Sequence, residues 1–396
     1  MASAVSLGQR SPHFENAETQ RTQRTQRFPL RNPLCDLCAS ASLRFQNSRP
    51  TFIVRHDARV NPPTIRKSFA FDDPCGLPFA EHRAACEAAG FTPVIGAWPS
   101  LDPSEYFAPH ADSFSAEELA AARAALIEDG VFTAPDWEAP YLDREFAGLR
   151  FTTESLARAA VKFGWAVAYA AEMAAGLAGD FEINFAGTPR PATPLEHLFI
   201  ALELRRRGVS FAALALRWPG GFEAAVEFDG DVPEFERAVG EHAAVARLAG
   251  NYRLSFSHAE EKFAVLPAIA RECGELLHVK TSGLAWMAGL RTIARAEPAF
   301  FREILRAAQE RFAFDKVGAV ISTNEEDVRF LPEVSDAELE RTFLEDPRGR
   351  QLLHVAAKSQ SISLEKHTAL HRELFAESLA KHLDALRALP SPEPAA

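Results

Sequence analysis

Short apolar runs alternate with longer amphipathic segments along most of the chain, from about Phe69 onward. The short runs have the length and the β-branched or aromatic content that are typical of strands. The runs that predict strands are FTPVIGA (91–97), DFEINFAG (180–187), VSFAALALR (209–217), YRLSFSH (252–258), ELLHVKTSG (275–283), KVGAVIST (316–323) and QLLHVAAKS (351–359).

Helix signals separate these runs. Ser115 precedes a segment with acidic residues in its first turn, and Gly130 follows it, so a helix is predicted between them. Residues 154–179 form a long amphipathic segment that also ends at glycine. Further helices are predicted over 194–208, 232–250, 260–274, 284–295, 299–311 and 366–389.

Repeated strand–helix alternation predicts an α/β fold with a parallel sheet. The chain has 396 residues and no Gly-x-Gly-x-x-Gly turn after a strand. These features favour a (β/α)8 TIM-like barrel over a doubly wound sheet. We predict that the barrel spans residues 67–390 and that residues 391–396 are a frayed tail.

Alternate residues of a barrel strand face outward to the helices and inward to the barrel, so the apolar set marks the outward face. In ELLHVKT, Leu277 and Val279 are predicted to face outward, which leaves His278 and Lys280 inward. The same rule turns polar residues of other strands inward, namely Glu182, Asn184, Arg253, Ser255, Ser257, Ser322, Asn324, His354 and Lys358.

These inward residues lie near the C-terminal ends of their strands, where barrel active sites occur. We therefore predict that Lys280 lines a site, although a lysine at a strand end is also typical of a solvated surface. A cationic site would suit an anionic substrate such as a sugar acid, whose carboxylate pairs well with arginine. The candidate cations are Arg217, Lys262, Lys280 and Lys358.

Charge is unevenly distributed along the chain, whose formal net charge is −11. Residues 1–68 carry 11 Lys and Arg against 4 Asp and Glu and show no sustained apolar periodicity, so residues 1–66 are predicted to be a disordered basic extension. The composition fits an organellar transit peptide or, as we favour, a translation start assigned too far upstream. The acidic remainder argues against nucleic-acid binding.

Two further features bear on location. No run of about 18 apolar residues is present, so no membrane span is predicted. Five cysteines in so long a chain indicate a reducing compartment, and we expect a cytoplasmic protein. The sequence does not indicate an oligomeric state.

Several segments, in order, resemble the tagaturonate epimerase family: DFEINFAGTPRPATPLEHLFIALELRRRGV (180–209), SHAEEKF (257–263), HVKTSG (278–283) and LLHV (352–355). The resemblance covers roughly residues 151–383. It implies a metal-dependent barrel that interconverts tagaturonate and fructuronate. A divalent cation and a small anionic sugar substrate are therefore expected.

This chain departs from the family pattern at residues that the resemblance connects with the metal. Ala186 and Gly187 stand where family members have acidic residues, and Val320 stands where they have histidine. His354 is retained, and His258 is displaced by one position from the family histidine, which is Ser257 here. The resemblance thus predicts His354 and His258 as metal ligands, with reduced affinity for the ion because Ala and Val supply no donor.

Three functions fit these residues. In a diverged sugar-acid epimerase, Lys280 and Lys262 would stabilise charge and Glu261 or His354 would move the proton. Substrate contacts would come from Asn184, Arg217, Ser257, His278 and Lys358. In a Schiff-base enzyme similar to deoxyribose-phosphate aldolases, the KTSG lysine, Lys280, would attack a carbonyl. A non-catalytic relative would bind a sugar acid without converting it.

Some of these residues also fit purely structural roles. Glu261 and Lys262 fit the first turn of a helix, where glutamate favours the helix dipole. His278 also fits a histidine that is hydrogen-bonded inside the barrel.

Overall fold

The computed structural model describes residues 68–71, 87, 91–95, 98–134, 136–281, 283–317, 319–329, 332–357 and 364–387. All of them belong to one compact unit, Ala58–Ala396. The predicted disordered extension over 1–66, the tail over 391–396 and Lys358 lie outside the described residues.

The described strands form one parallel sheet in the order β2-β1-β7-β6-β5-β4-β3. Their bounds are β1 Ser68–Phe71, β2 Thr92–Ile95, β3 Ser100–Leu101, β4 Glu182–Phe185, β5 Ala213–Leu216, β6 Arg253–Ser257 and β7 Leu277–Thr281. The five predicted strands between residues 91 and 283 are confirmed.

Helices follow most of the strands. They are α1 Ala116–Glu128, α2 Ala139–Leu142, α3 Thr153–Ala174, α4 Pro194–Arg206, α5 Val232–Ala249, α6 Leu266–Cys273, α7 Leu284–Ala296, α8 Pro298–Asp315, α9 Glu325–Arg329, α10 Pro347–Ala356, α11 Glu365–Leu370 and α12 Arg372–Arg387. Capping boxes at Ser115, Thr152 and Thr193 begin α1, α3 and α4, because each side chain accepts a hydrogen bond from the N3 amide. No described helix is long and apolar enough to cross a membrane.

The two predicted strands nearest the C-terminus are wrong. Residues 351–356 belong to helix α10, which Asp346 caps by accepting from the Arg348 amide and which Pro347 opens. The described part of 316–323 contains no strand, and its Ser322 and Thr323 amides instead donate to side chains of the loop after β5 and of α10. An apolar run this short has no periodicity that separates a strand from a buried helix.

The sheet is strongly curled. Trp98, two residues before β3, stacks on His278 of β7 with 4.2 Å between ring centroids. Four strand spacings separate β3 from β7, which would be about 19 Å in a flat sheet. The strand order is that of a barrel, but the described residues show no pairing between β2 and β3, so the predicted eight-stranded closed barrel is not confirmed.

Two hydrophobic clusters hold these layers together. The first joins the outward residues of the strands, such as Ile183, Leu254 and Val279, to α3, α4 and α5. The second lies among α7, α8 and α10 and includes Leu290, Phe301 and Leu352, all fully buried. The second cluster positions α10 beside the carboxyl ends of the strands.

Candidate functional site

Polar side chains share the face of the sheet that the apolar core leaves free. Leu277 and Val279 lie in the first hydrophobic cluster, so His278 and Lys280 face the opposite side, as the alternation predicts. Glu182 of β4 and Ser255 of β6 lie on that inward face as well, and both are 1% exposed.

Lys280 makes an ion pair with Glu182. Its Nζ lies 2.7 Å from Glu182 Oε1, although three strand spacings separate β7 from β4. The same oxygen accepts a hydrogen bond of 3.0 Å from Ser100 Oγ. The Lys280 side chain is 21% exposed, so it is an interior cation with one accessible end, and the solvated-surface interpretation is wrong.

Two buried polar atoms near this pair have no hydrogen-bond partner among the described residues: Glu182 Oε2 and Ser255 Oγ. Ser255 pairs in register with His278, and Ser257 pairs with Lys280. Ser255 is therefore a diagonal neighbour of Lys280 on the same face. A buried oxygen without a partner costs about 1–3 kcal/mol, so this face carries unmet hydrogen-bonding capacity.

His278 is neutral at pH 7. Burial, followed by the positive charges of Lys280 and Arg253, lowers its pKa to about 3. The Arg253 guanidinium also lies over the Trp98 ring, 5.4 Å from its centroid. Because Trp98 precedes β3 and Arg253 begins β6, this group fills the interior at the amino-terminal end of the strands. A ligand is therefore expected from the carboxyl-terminal end.

Three predicted substrate residues lie at that carboxyl-terminal end. Ser257 ends β6 and is half-buried. Asn184 Nδ2 donates to Asp102 Oδ2 at 3.4 Å, and its Oδ1 accepts from the Ala186 amide at 2.9 Å. Arg217 directly follows β5 and is exposed to solvent. The structure thus brings Arg217, Ser257 and Lys280 to the same end of adjacent strands.

Lys262 and Glu261 are bonded to other residues of the protein. Lys262 is fully buried and donates to the carbonyl oxygens of Glu223, at 2.6 Å, and Val226. Glu261 accepts from Arg350 at 2.5 Å. These contacts fasten the turn after β6 to the loop after β5 and to α10, so the structure gives both residues a role in holding the site together.

His258 and His354 are neighbours, with ring centroids 5.6 Å apart. His258 adopts a left-handed backbone conformation with φ of 59°, which is uncommon for a non-glycine residue. His354 reaches this point from helix α10, and not from a strand as predicted. Arg350 and Gln351 of α10 anchor it by donating to the Ala225 carbonyl and to Glu223 Oε2.

The donor set for a metal ion is small. The separation of His258 and His354 allows both imidazoles to contact one ion, but no group of three His, Cys, Asp or Glu side chains suited to a metal occurs in the part of the chain that the structure describes. At Gly187, where the resemblance predicts a carboxylate, an added Cβ would lie 2.8 Å from Ser104 Cβ, so a side chain does not fit unless the Ser104 loop moves. Val320, where the resemblance predicts a histidine, is 55% exposed.

The sequence placed Glu182 on the inward face without assigning it a role in the site, and it did not single out Ser100 or Trp98. Glu182 carried a usable signal, because an acidic residue on the inward face of a buried strand needs a cationic partner. Trp98 and Ser100 carried none, because β3 is only two residues long.

The fold and site define a mixed α/β protein with a curled parallel sheet and a polar, ion-paired interior. The chain belongs to the tagaturonate epimerase family, whose model matches residues 84–389. The tagaturonate/fructuronate epimerase of Thermotoga maritima is 39% identical over 210 residues, which are 52% of this chain and 44% of that protein. The match therefore spans less than half the length of this curated relative.

Solved structures agree with this assignment. The native crystal structure of fructuronate-tagaturonate epimerase UxaE from Cohnella laeviribosi superposes with a TM-score of 0.62 at 27% identity. The superposition covers 80% of this chain and 67% of the epimerase chain. A glycerol complex of that enzyme gives a TM-score of 0.59 at 28% identity, covering 81% of this chain and 66% of the other.

Proposed function

We propose that this chain is a keto-hexuronate epimerase of the tagaturonate/fructuronate type, with its site at the carboxyl-terminal end of the parallel strands. The observation that carries the proposal is the Lys280–Glu182 ion pair inside the sheet of a member of this family. Lys280 offers a positive charge at the end of β7 from which a ligand can approach. A small anionic sugar is the substrate class that this charge suits.

Inversion of a hydroxyl-bearing carbon needs a proton to leave and return, or a carbon–carbon bond to break and re-form. Either route places negative charge on a substrate oxygen, and a fixed cation stabilises that charge. In our proposal Lys280 supplies the cation, and His354, with His258 beside it, transfers the proton in molecules whose two imidazoles hold no ion. Arg217 at the end of β5 would bind the sugar carboxylate.

Lys262 and Glu261 have a supporting role in this proposal, because both are bonded within the protein. They hold the turn that carries His258.

We also propose that the curled sheet closes as a (β/α)8-type barrel, which the strand order and the Trp98–His278 stack support. A cytoplasmic location fits a chain with few cysteines, among which Cys273 is a buried free thiol.

A divalent ion is implied by the resemblance to the family. In this chain His258 and His354 would hold it, and it would polarise an oxygen of the sugar. Two imidazoles without a carboxylate form an incomplete first shell, so we propose weak, exchangeable binding and assign no step of the reaction to the ion.

The binding-only alternative has one specific observation in its favour. The position of a family carboxylate, Gly187, is closed by Ser104, so the chain does not merely lack that group but has filled its space. The Schiff-base alternative is less well supported, because an ammonium group in an ion pair has no lone pair for attack on a carbonyl carbon.

The test is an NMR assay of purified chain with tagaturonate and, separately, fructuronate. The proposal expects slow interconversion in both directions, and a fall of at least about tenfold in kcat for Lys280→Met, since removal of one charge-stabilising group typically costs that much or more. Lys316→Met, which removes a lysine from a partly exposed pair with Glu325 on the helix α8 side of the protein, is the matched control and should leave kcat unchanged. Binding of either sugar without any interconversion would support the non-catalytic alternative.

A further inference from the structure

Glu182 is placed to control the charge of Lys280. It is 1% exposed, and within the described part of the chain its one ion pair is with Lys280. Ser100 Oγ donates to the same carboxylate oxygen that Lys280 contacts. The carboxylate is thus held by β3 and in turn holds an ammonium group on β7.

This arrangement has an electrostatic consequence. A buried charge is tolerated when a partner compensates it, so the negative charge of Glu182 is balanced by Lys280. The pair as a whole is neutral, and an anion that approaches Lys280 meets an ammonium group whose charge is already offset. Glu182 Oε2 has no hydrogen-bond partner among the described residues, so Lys280 and the neutral Ser100 hydroxyl, both at Oε1, are the donors that the carboxylate has there.

We propose that Glu182 is a positioning residue that fixes the Lys280 ammonium and lowers the affinity of the site for anions in the ground state. The inference rests on the proposed function. A cation that is already oriented stabilises charge as it develops on the substrate without reorganising at that moment. Interactions that are stronger in the transition state than in the ground state raise kcat, whereas uniform binding does not. Glu182 therefore reduces affinity for the anionic sugar and increases kcat.

The experiment compares binding of glucuronate, an anionic probe without a keto group, with turnover of tagaturonate. In Glu182→Gln the shape is kept and the site gains one positive charge. Its Kd for glucuronate should fall by about three- to tenfold, with a steeper salt dependence, because two unit charges a few ångströms apart interact strongly at a partly buried site. Its kcat should fall by at least about tenfold, because Lys280 loses its fixed orientation. Glu182→Asp keeps the charge and should recover part of kcat.

Two further variants separate this role from a structural one. In Glu182→Gln/Lys280→Met the gain in glucuronate affinity should disappear, since it depends on the Lys280 charge. Glu203→Gln is the matched control. Like Glu182, Glu203 is 1% exposed and ion-paired, in its case to Arg206, but it lies on α4, away from the inward face of the sheet. This control should lower Tm without changing Kd or kcat.

The outcomes are distinguishable. Unchanged or weaker glucuronate binding in folded Glu182→Gln, or a gain that persists in the double variant, overturns the inference and leaves the proposed function standing. A wild-type chain that neither binds a hexuronate nor converts tagaturonate overturns both. If Glu182→Gln does not fold, Glu182→Asp decides: its shorter carboxylate lies farther from Lys280, so the Kd for glucuronate should fall and kcat should drop below that of the wild type, and an unchanged Kd overturns the inference.

Discussion

The Cβ position of Gly187 lies 2.8 Å from the Cβ of Ser104. Gly187 follows β4 and Ser104 follows β3, so the loops at the ends of two adjacent strands touch at a glycine. The family resemblance places a carboxylate at this position. In this chain the space for that side chain is occupied by the neighbouring loop.

Gly187→Ala should therefore lower the free energy of unfolding by about 1–3 kcal/mol, the usual cost of overpacking. Thermal or urea unfolding measures the change. Gly176→Ala is the matched control, since its new Cβ meets only a backbone oxygen at an ordinary 3.7 Å. Equal stability of both variants would contradict the prediction, because it would show that the Ser104 loop moves aside without a cost in free energy.

Metal binding should be weak in the wild-type chain, because the neighbouring imidazoles of His258 and His354 are not joined by a third His, Cys, Asp or Glu suited to a metal among the described residues. Mass spectrometry after dialysis should find clearly less than one equivalent of divalent metal. Ala186→Asp combined with Val320→His should raise the metal content, whereas Gly187→Glu should not, since that side chain does not fit. One tightly held equivalent in the wild-type chain would contradict this prediction.

Lys262 and Lys280 should respond differently to the same substitution. Lys262→Met removes the donor from two partly buried carbonyl oxygens, at about 1 kcal/mol or more each, so Tm should fall. Lys280→Met leaves the buried Glu182 without its cation, so it should lower Tm as well, and it should in addition remove the charge that turnover needs. Calorimetry and the NMR assay on both variants test the contrast, and a Lys262 variant of wild-type Tm would mean that its carbonyl contacts are dispensable.

Stability should decrease as the pH falls below neutrality. Burial lowers the pKa of His278 to about 3 and that of His242 to about 4, from an ordinary 6.5. Below pH 6.5 the unfolded chain therefore binds protons that the folded chain does not, and the loss accumulates down to about pH 3. Urea unfolding at several pH values should show the slope, and His278→Asn should flatten it.

A His278→Asn variant with an unaltered slope would mean that the ring is not kept neutral in the folded state.

Substitution of Gly283 should reduce turnover through its contact with His354. Its φ is +88°, and an added Cβ would lie 3.2 Å from His354 Nδ1. Gly283→Ala should cost about 1 kcal/mol of stability from the backbone alone, and it should displace the imidazole and reduce turnover. In a His354→Ala background the effect on turnover should vanish. An equal effect in both backgrounds would assign it to the backbone.

The sequence predicted the sheet well where apolar alternation was long enough to show which face of a strand is buried. It placed His278 and Lys280 on the inward face, and the burial of Leu277 and Val279 agrees. It misassigned the segment of His354, because LLHVAA has no periodicity that separates a strand from a buried helix.

Two contacts could not be predicted from the sequence at all. The pairing of Lys280 with Glu182 and the approach of Ser104 to Gly187 depend on how far the sheet curls. That curl results from packing between residues that are distant along the chain.

The candidate site is assembled only while both hydrophobic clusters are folded. Lys280 belongs to a strand fixed by the first cluster, whereas His354 belongs to a helix fixed by the second. Proteins open in cooperative units whose free energies differ, and the least stable unit opens most often. The fraction of time during which the two side chains stand together is therefore set by the weaker of the two units. Amide exchange of α10, more than global melting, reports how durable the assembled site is.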